Sequence, residues 1–217
     1  MPDGLRAAQS PGDLSAPVST DLRTTLSQRV VIADGAMGTM LQRYDLTLQD
    51  FQQLEGCNEI LNLTRPDIVR AIHDAYFEAG VDAVETNSFG ANLSALGEYG
   101  IAHRITELAE ASARIARESA EAHRTPERPR WVLGSVGPGT KLPTLGHVSY
   151  AQLRDAYQQQ VEGLIAGGVD AVLIETSQDL LQTKAATLGT KRAIGYAGRD
   201  LPVNREFKVA ELLQCAK

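Results

Sequence analysis

Residues 79–90 read AGVDAVETNSFG, and residues 167–178 read GGVDAVLIETSQ. The five letters Gly-Val-Asp-Ala-Val stand at 80–84 and again at 168–172. Each copy runs on to a glutamate followed by a threonine, Glu85-Thr86 and Glu175-Thr176. Upstream of the first copy, Ile68, Val69, Ile72, Ala75, Tyr76 and Ala79 recur at helical spacing, with Pro66 at the start and Gly80 past the end. Upstream of the second, Leu153, Ala156, Tyr157, Val161, Leu164 and Ile165 do the same, with Ser149 placed to cap the helix. Each helix meets a glycine and turns at once into an apolar, β-branched run. The phrase is therefore a helix-to-strand junction written twice, and the nearly continuous apolar runs suit strands covered on both faces.

Working outward, the chain alternates. Strands are predicted at 30–33, 81–87, 131–136, 169–176 and 201–209, and helices at 66–79, 102–123, 150–166 and 179–196. Strand–helix alternation specifies a parallel sheet with right-handed crossovers. A doubly wound sheet announces itself by a glycine-rich turn that runs directly into a helix. Here the turn in VVIADGAMGTMLQRY is followed by a clear helix only some 30 residues later. The internal repetition favours a (β/α)8 barrel, whose functional residues gather at the C-terminal ends of successive strands. A full barrel takes roughly 250 residues, and this chain offers about the first four to five βα units, an incomplete TIM-barrel type.

The strand ends then matter. They are Asp34-Gly35-Ala36-Met37-Gly38-Thr39, Glu85-Thr86-Asn87-Ser88-Phe89-Gly90, Gly134-Ser135-Val136-Gly137-Pro138-Gly139-Thr140 and Glu175-Thr176-Ser177-Gln178-Asp179. All four bring carboxylates, hydroxyls or glycines to one rim. Asp34 and Glu175 suit an ammonium, and free N–H groups in the Gly-Ala-Met-Gly turn suit a carboxylate. An amino-acid-like substrate follows from that pairing; a reaction does not.

The chain has 217 residues, 43% hydrophobic and 22% charged, with a formal net charge of −6. That is ordinary for a globular domain and gives no electrostatic footprint for nucleic acid or an anionic membrane. No apolar run approaches the roughly 20 residues needed to span a bilayer, and the first stretch reads as a disordered polar arm over 1–27 rather than a secretory signal. Cys57 and Cys215 do not make a disulfide framework, which points to a reduced cytoplasmic setting.

Plainer readings compete at several positions. An isolated Asp34-Gly35 is ordinarily only a turn. Asp179 reads as a helix N-cap. GSVGPGT at 134–140 has the look of a phosphate loop but lacks Lys or Ser/Thr at the required spacing. His73, His103, His123 and His147 are expected on helix surfaces or in loops, with no partner at metal-ligand spacing. Cys57 reads as a small buried apolar residue.

Taken together, VVIADGAMGTMLQ, EGCNEILNLTRPDIVRAIHDAYFEAGVDAVETNSFGAN, GSVGPGTKLP and VDAVLIETSQDLLQTKAA resemble the homocysteine S-methyltransferase family, and within it the N-terminal module of the cobalamin-dependent branch. The resemblance covers about 28–202. It implies a (β/α)8 barrel that binds homocysteine at its C-terminal rim. The acids at Asp34 and Glu175 would hold the substrate ammonium, the amides of Gly35, Ala36 and Met37 its carboxylate, and Thr86 and Asn87 would line the pocket. It also implies zinc, which holds the homocysteine sulfur as a thiolate, and methylcobalamin, charged from methyltetrahydrofolate, as methyl donor.

The zinc ligands of the family lie on a Gly-x-Asn-Cys stretch and a Gly-Gly-Cys-Cys stretch, and this sequence contains neither. From about residue 203 it reads as a divergent tail. The expectation is thus a barrel domain at 28–202 without its zinc-ligand half, inactive alone, with no catalytic or metal residue assigned. The alternatives are a non-catalytic remnant, or a binding module that self-associates through an open barrel edge; a phosphate-binding barrel fragment is a third.

Overall fold

The computed structural model describes residues 21–207. Helix α1 (Leu22–Gln28) is capped by Asp21, whose side chain accepts the Thr24 N–H. The chain then touches the sheet at Ala33, turns through α2 (Met37–Leu41), and passes a 3₁₀ turn (Asn58–Ile60) into α3 (Leu61–Thr64) and α4 (Pro66–Ala79). Strand β1 (Ala83–Glu85) follows, then α5 (Leu93–Glu98) and α6 (Ile105–His123). The remainder is β2 (Trp131–Val136), α7 (Tyr150–Gly167), β3 (Ala171–Ser177), α8 (Leu180–Tyr196) and β4 (Val203–Phe207).

Sheet order is β1-β2-β3-β4, and every pairing is parallel, with Ala83 beside Trp131, Leu133 beside Ala171 and Val172 beside Val203. A doubly wound sheet reverses order at a switch point. This one advances one strand at a time, as the wall of a barrel does. Alternate residues face opposite sides. Val84, Val132, Val172 and Ile174 pack with Phe77, Ala109, Ala113, Val161, Leu164 and Ala185 of the crossover helices. Ala83, Trp131 and Ala171 point the other way and pack on Leu22 of α1.

The repeated phrase has a structural meaning at each letter. Gly80 and Gly168 close α4 and α7 in the left-handed region, at φ 108° and 97°, where a side chain is strained. The aspartate then clamps the neighbouring strand. Asp82 Oδ2 accepts the Ile32 N–H at 3.0 Å, and Asp170 Oδ2 accepts the Val132 N–H at 2.8 Å. Each aspartate also pairs with an arginine, Asp82 with Arg29 and Asp170 with Arg117. Ala-Val then begins the strand.

Several expectations need correction. The strand expected at 30–33 is a single bridge, Ala33 to Ala83, with Val30 81% and Ile32 58% exposed. The segment has β1 on one side and no strand on the other among the described residues, so little holds it extended. The arm expected to stay unstructured through 27 contains α1, because Leu22 finds an apolar seat beneath the sheet; residues 1–20 of that arm lie outside the described residues. The tail expected to diverge from 203 opens with β4, which continues the sheet. The strand expected at 201–209 is Val203–Phe207, and Cys215 lies outside the described residues. The helix expected at 102–123 begins with a 3₁₀ turn, Ala102–Arg104, before α6.

Candidate active site

The C-terminal strand ends enclose a cavity of about 400 Å³. Asp34, Gly35, Ala36, Met37, Thr86, Asn87 and Glu175 all line it. The seven residues predicted from sequence therefore meet in one place, although Asp34 and Glu175 are far apart in the chain.

Asp34 sits just past the Ala33 bridge. Its Oδ1 accepts the Glu85 backbone N–H at 2.9 Å, and its own N–H donates to the Ala83 carbonyl at 3.1 Å. Burial pushes its pKa up to about 7; the Glu85 N–H pulls it down, and the negative charge of Glu175 adds to the rise. Gly35 passes beneath Tyr76, where a Cβ would stand 3.2 Å from the phenol oxygen. Ala36 caps α2 without a side-chain hydrogen bond, and the leading N–H groups of a helix lie outside its ladder. The turn residues Gly35, Ala36, Met37 and Gly38 line the cavity that Asp34 also faces.

Glu175 enters from β3. Ser135 Oγ on β2 donates to Glu175 Oε1 at 2.5 Å, a charge-assisted bond that fixes one carboxylate oxygen. Thr86 and Asn87 serve the wall. Thr86 Oγ1 accepts the Ser135 N–H at 3.0 Å and shares a 2.6 Å hydrogen bond with Ser88 Oγ. Asn87 Nδ2 donates to the Asn58 carbonyl and to Asn62 Oδ1, both at 2.9 Å.

The cavity has further walls that sequence reasoning left without a role: Asn58, Glu59, Glu85, Phe89 and Ser135. Glu59 is only 8% exposed; its Oε1 accepts the Gly90 N–H at 2.7 Å, and burial pushes its pKa up. The signal was present in CNEILNLT, where the polar Asn58, Glu59 and Asn62 interrupt an apolar run. Phe89 crosses Gly137 so closely that a Cβ there would stand 2.5 Å from the Phe89 carbonyl oxygen. Only glycine fits that crossing.

Other candidates resolve locally. Asp179 caps α8, accepting the Leu181 and Gln182 N–H groups at 2.7 and 3.1 Å. Ser149 caps α7 in a full capping box with Gln152. In the 134–140 loop the Thr140 N–H is taken by Ser94 Oγ at 3.0 Å, and the Pro138 carbonyl accepts from Gln182 and Tyr157. That loop is tied to its own fold. Cys57 is fully buried as expected, and burial pushes its thiol up to about 11. His73 departs from expectation. It is fully buried on α4 with neither ring nitrogen hydrogen-bonded, and burial pushes its pKa down to about 4.

Among the described residues no three His, Cys, Asp or Glu side chains converge closely enough to hold a metal ion. Zinc takes thiolate, imidazole or carboxylate ligands, three or four of them converging on one point. A buried Cys57 thiol held protonated does not fit that need, so the described donor set does not match zinc. No helix among the described residues is long and apolar enough to cross a membrane.

The homocysteine S-methyltransferase family profile matches residues 31–212. The chain is 62% identical over 184 residues to methionine synthase of Mycobacterium tuberculosis (strain ATCC 25618 / H37Rv) and 60% identical over 184 residues to that of Mycobacterium leprae (strain TN). Each match covers 85% of this chain and 15% of the relative, so the chain spans a small part of their length. Among solved structures, the homocysteine methyltransferase MmuM from Escherichia coli in its metallated form superposes with a TM-score of 0.69 at 23% identity, covering 87% of this chain and 67% of that one. Its apo form gives 0.62 at 22% identity, covering 86% and 64%. These likenesses establish the fold, an α/β parallel sheet of TIM-barrel type. The family match reaches ten residues past the boundary expected at 202. With the profile spanning most of the chain and a relative 62% identical along 85% of it, the chain belongs to the homocysteine S-methyltransferase family.

Proposed function

We propose that this chain is the homocysteine-binding part of a methyltransferase of the methionine synthase type. The observation that carries the reading is the charge of the cavity. Asp34, Glu59, Glu85 and Glu175 line it, and no lysine or arginine is among its lining residues. Such a cavity attracts an ammonium group. Asp34 and Glu175 are its acceptors, and the amides of Gly35, Ala36 and Met37 receive the carboxylate.

Zinc would supply a thiolate at neutral pH, and methylcobalamin the methyl group. The described residues do not fit a zinc site, and the two cysteine-bearing stretches implied by the resemblance are not in this sequence. Methyl transfer is therefore assigned to a longer polypeptide, and this chain is read as inactive alone. A cytoplasmic setting, from the cysteine usage, is part of the same reading.

Calorimetric titration tests it. L-Homocysteine should bind at least tenfold more tightly than 4-sulfanylbutanoate, which lacks the ammonium, since a charge-assisted hydrogen bond contributes about 1.5–3 kcal/mol. Equal binding of the two would remove the ammonium site.

A second reading has its own support. Val30 and Ile32 are exposed along one sheet edge, and Leu180 and Tyr196 are exposed on α8. Unpaired edges and apolar faces favour association, which suits a non-catalytic module that pairs with itself. Size-exclusion chromatography separates the readings: a monomer that binds homocysteine supports the first, and an assembly indifferent to it supports the second.

A further inference from the structure

Three described residues other than glycine have positive φ: Gln52, Gln53 and Thr176. The two glutamines are exposed, unbranched and placed in a turn. Thr176, at φ 57°, is β-branched, the side-chain class for which the left-handed region is least tolerable. It follows Glu175 directly, inside β3. The pairing of β3 with β4 also slips at this point. Ile174 stands opposite Arg205 and Ser177 opposite Phe207, so three steps on β3 match two on β4. One extra residue is therefore accommodated at 175–176, which is a bulge in the strand end. Bulges and strained backbone beside a site commonly serve to aim a side chain.

What is aimed here is Glu175. Its Oε1 receives the Ser135 hydroxyl at 2.5 Å from the neighbouring strand, and Thr176 Oγ1 lies 3.5 Å from its Oε2. Ile174 before the bulge and Ser177 after it are both buried. The flanks are fixed, so the strain cannot relax by shifting the strand.

We propose that Thr176 is a positioning residue: its left-handed backbone in the β3 bulge, with Ser135, aims the Glu175 carboxylate into the rim cavity at a cost in stability. The purpose rests on the homocysteine reading above; the geometry does not. Glycine at 176 adopts the same backbone without strain but holds it less firmly. Thr176→Gly should raise Tm by about 2–4 °C and weaken homocysteine binding about fivefold. Thr176→Ser keeps the Cβ and the hydroxyl, and should restore wild-type affinity.

A ligand-free readout decides the proposal independently. Ser135→Ala should lower Tm in the wild-type background, and lower it less in Thr176→Gly, because a carboxylate that is no longer aimed no longer seats on Ser135. Three results would each overturn the proposal: a lower Tm in Thr176→Gly, an equal effect of Ser135→Ala in both backgrounds, or a raised Tm with unchanged affinity. If the wild-type chain binds no homocysteine, the functional reading falls. Tm and the Ser135–Thr176 coupling still decide the proposal.

Discussion

Glu85 donates its backbone N–H to Asp34 Oδ1 at 2.9 Å, so the acid that follows the first sheet position is anchored by the strand beside it. This bond holds the carboxylate at the cavity without neutralising it. Burial and the nearby Glu175 charge then push its pKa up to about 7.

Asp34 should therefore titrate the site. An ammonium needs the ionised form, so homocysteine affinity should rise as pH climbs through about 7 and level off above it. Asp34→Asn keeps the acceptor for Glu85 and removes the charge. Above neutrality it should weaken binding roughly ten- to a hundredfold and flatten the pH profile. The sign for stability is opposite. A carboxyl whose folded pKa is raised stabilises the protonated fold, so the contribution of Asp34 to the stability of the ligand-free protein should fall as pH rises from near 4 through 7. Asp34→Asn should remove that slope. Calorimetry and urea unfolding across pH check both, and a pH-independent affinity would be evidence against the assignment.

The two copies of the repeated phrase are not equivalent at their glutamates. Glu175→Gln should weaken binding roughly ten- to a hundredfold, since it removes charge from a carboxylate already oriented by Ser135. Glu85→Gln should cost less, although Glu85 also lines the cavity. Titration of both variants decides the order. A larger loss for Glu85→Gln would move the ammonium to the first copy.

The clamp aspartates are structural. Asp82→Ala and Asp170→Ala each remove the acceptor of a backbone N–H and one ion-pair partner of an arginine, and each should lower unfolding free energy by about 1–3 kcal/mol. Homocysteine affinity should hold, because both lie at the opposite ends of the strands from the cavity. Urea midpoints and titrations on the same samples test this. A clamp variant that unfolds like wild type would show that the sheet does not need it.

His73 sets the acid limit. Its folded pKa is depressed to about 4 by burial, so the unfolded chain takes up the proton first. The contribution of His73 to stability should fall as pH drops from about 6.5 toward 4, opposite in sign to that of Asp34 over the same range. His73→Leu removes two unpartnered ring nitrogens and should flatten that fall. Thermal unfolding between pH 4 and 7 reads the difference, and an unaltered acid limb would place the loss elsewhere.

Much was legible because it was local. Helical spacing ahead of Gly80 and Gly168, the caps at Ser149 and Asp179, and the alternation of strand and helix all depend on residues within a few positions of one another. The parallel barrel wall follows from that alternation, and the rim follows from where strands end, so the meeting of Asp34 and Glu175 at one cavity was readable. The tertiary structure alone decided what distant residues do to each other. Ser135 reaches Glu175 across 40 positions, Glu59 reaches Gly90 across 31, and Asp82 and Asp170 reach back 50 and 38 to the strands they clamp. It also reduced the first strand to a bridge, seated Leu22 under the sheet and buried His73. Periodicity reports which face a residue takes, but hydrogen bonds, burial and strain such as that at Thr176 depend on what the packed neighbours present to that face.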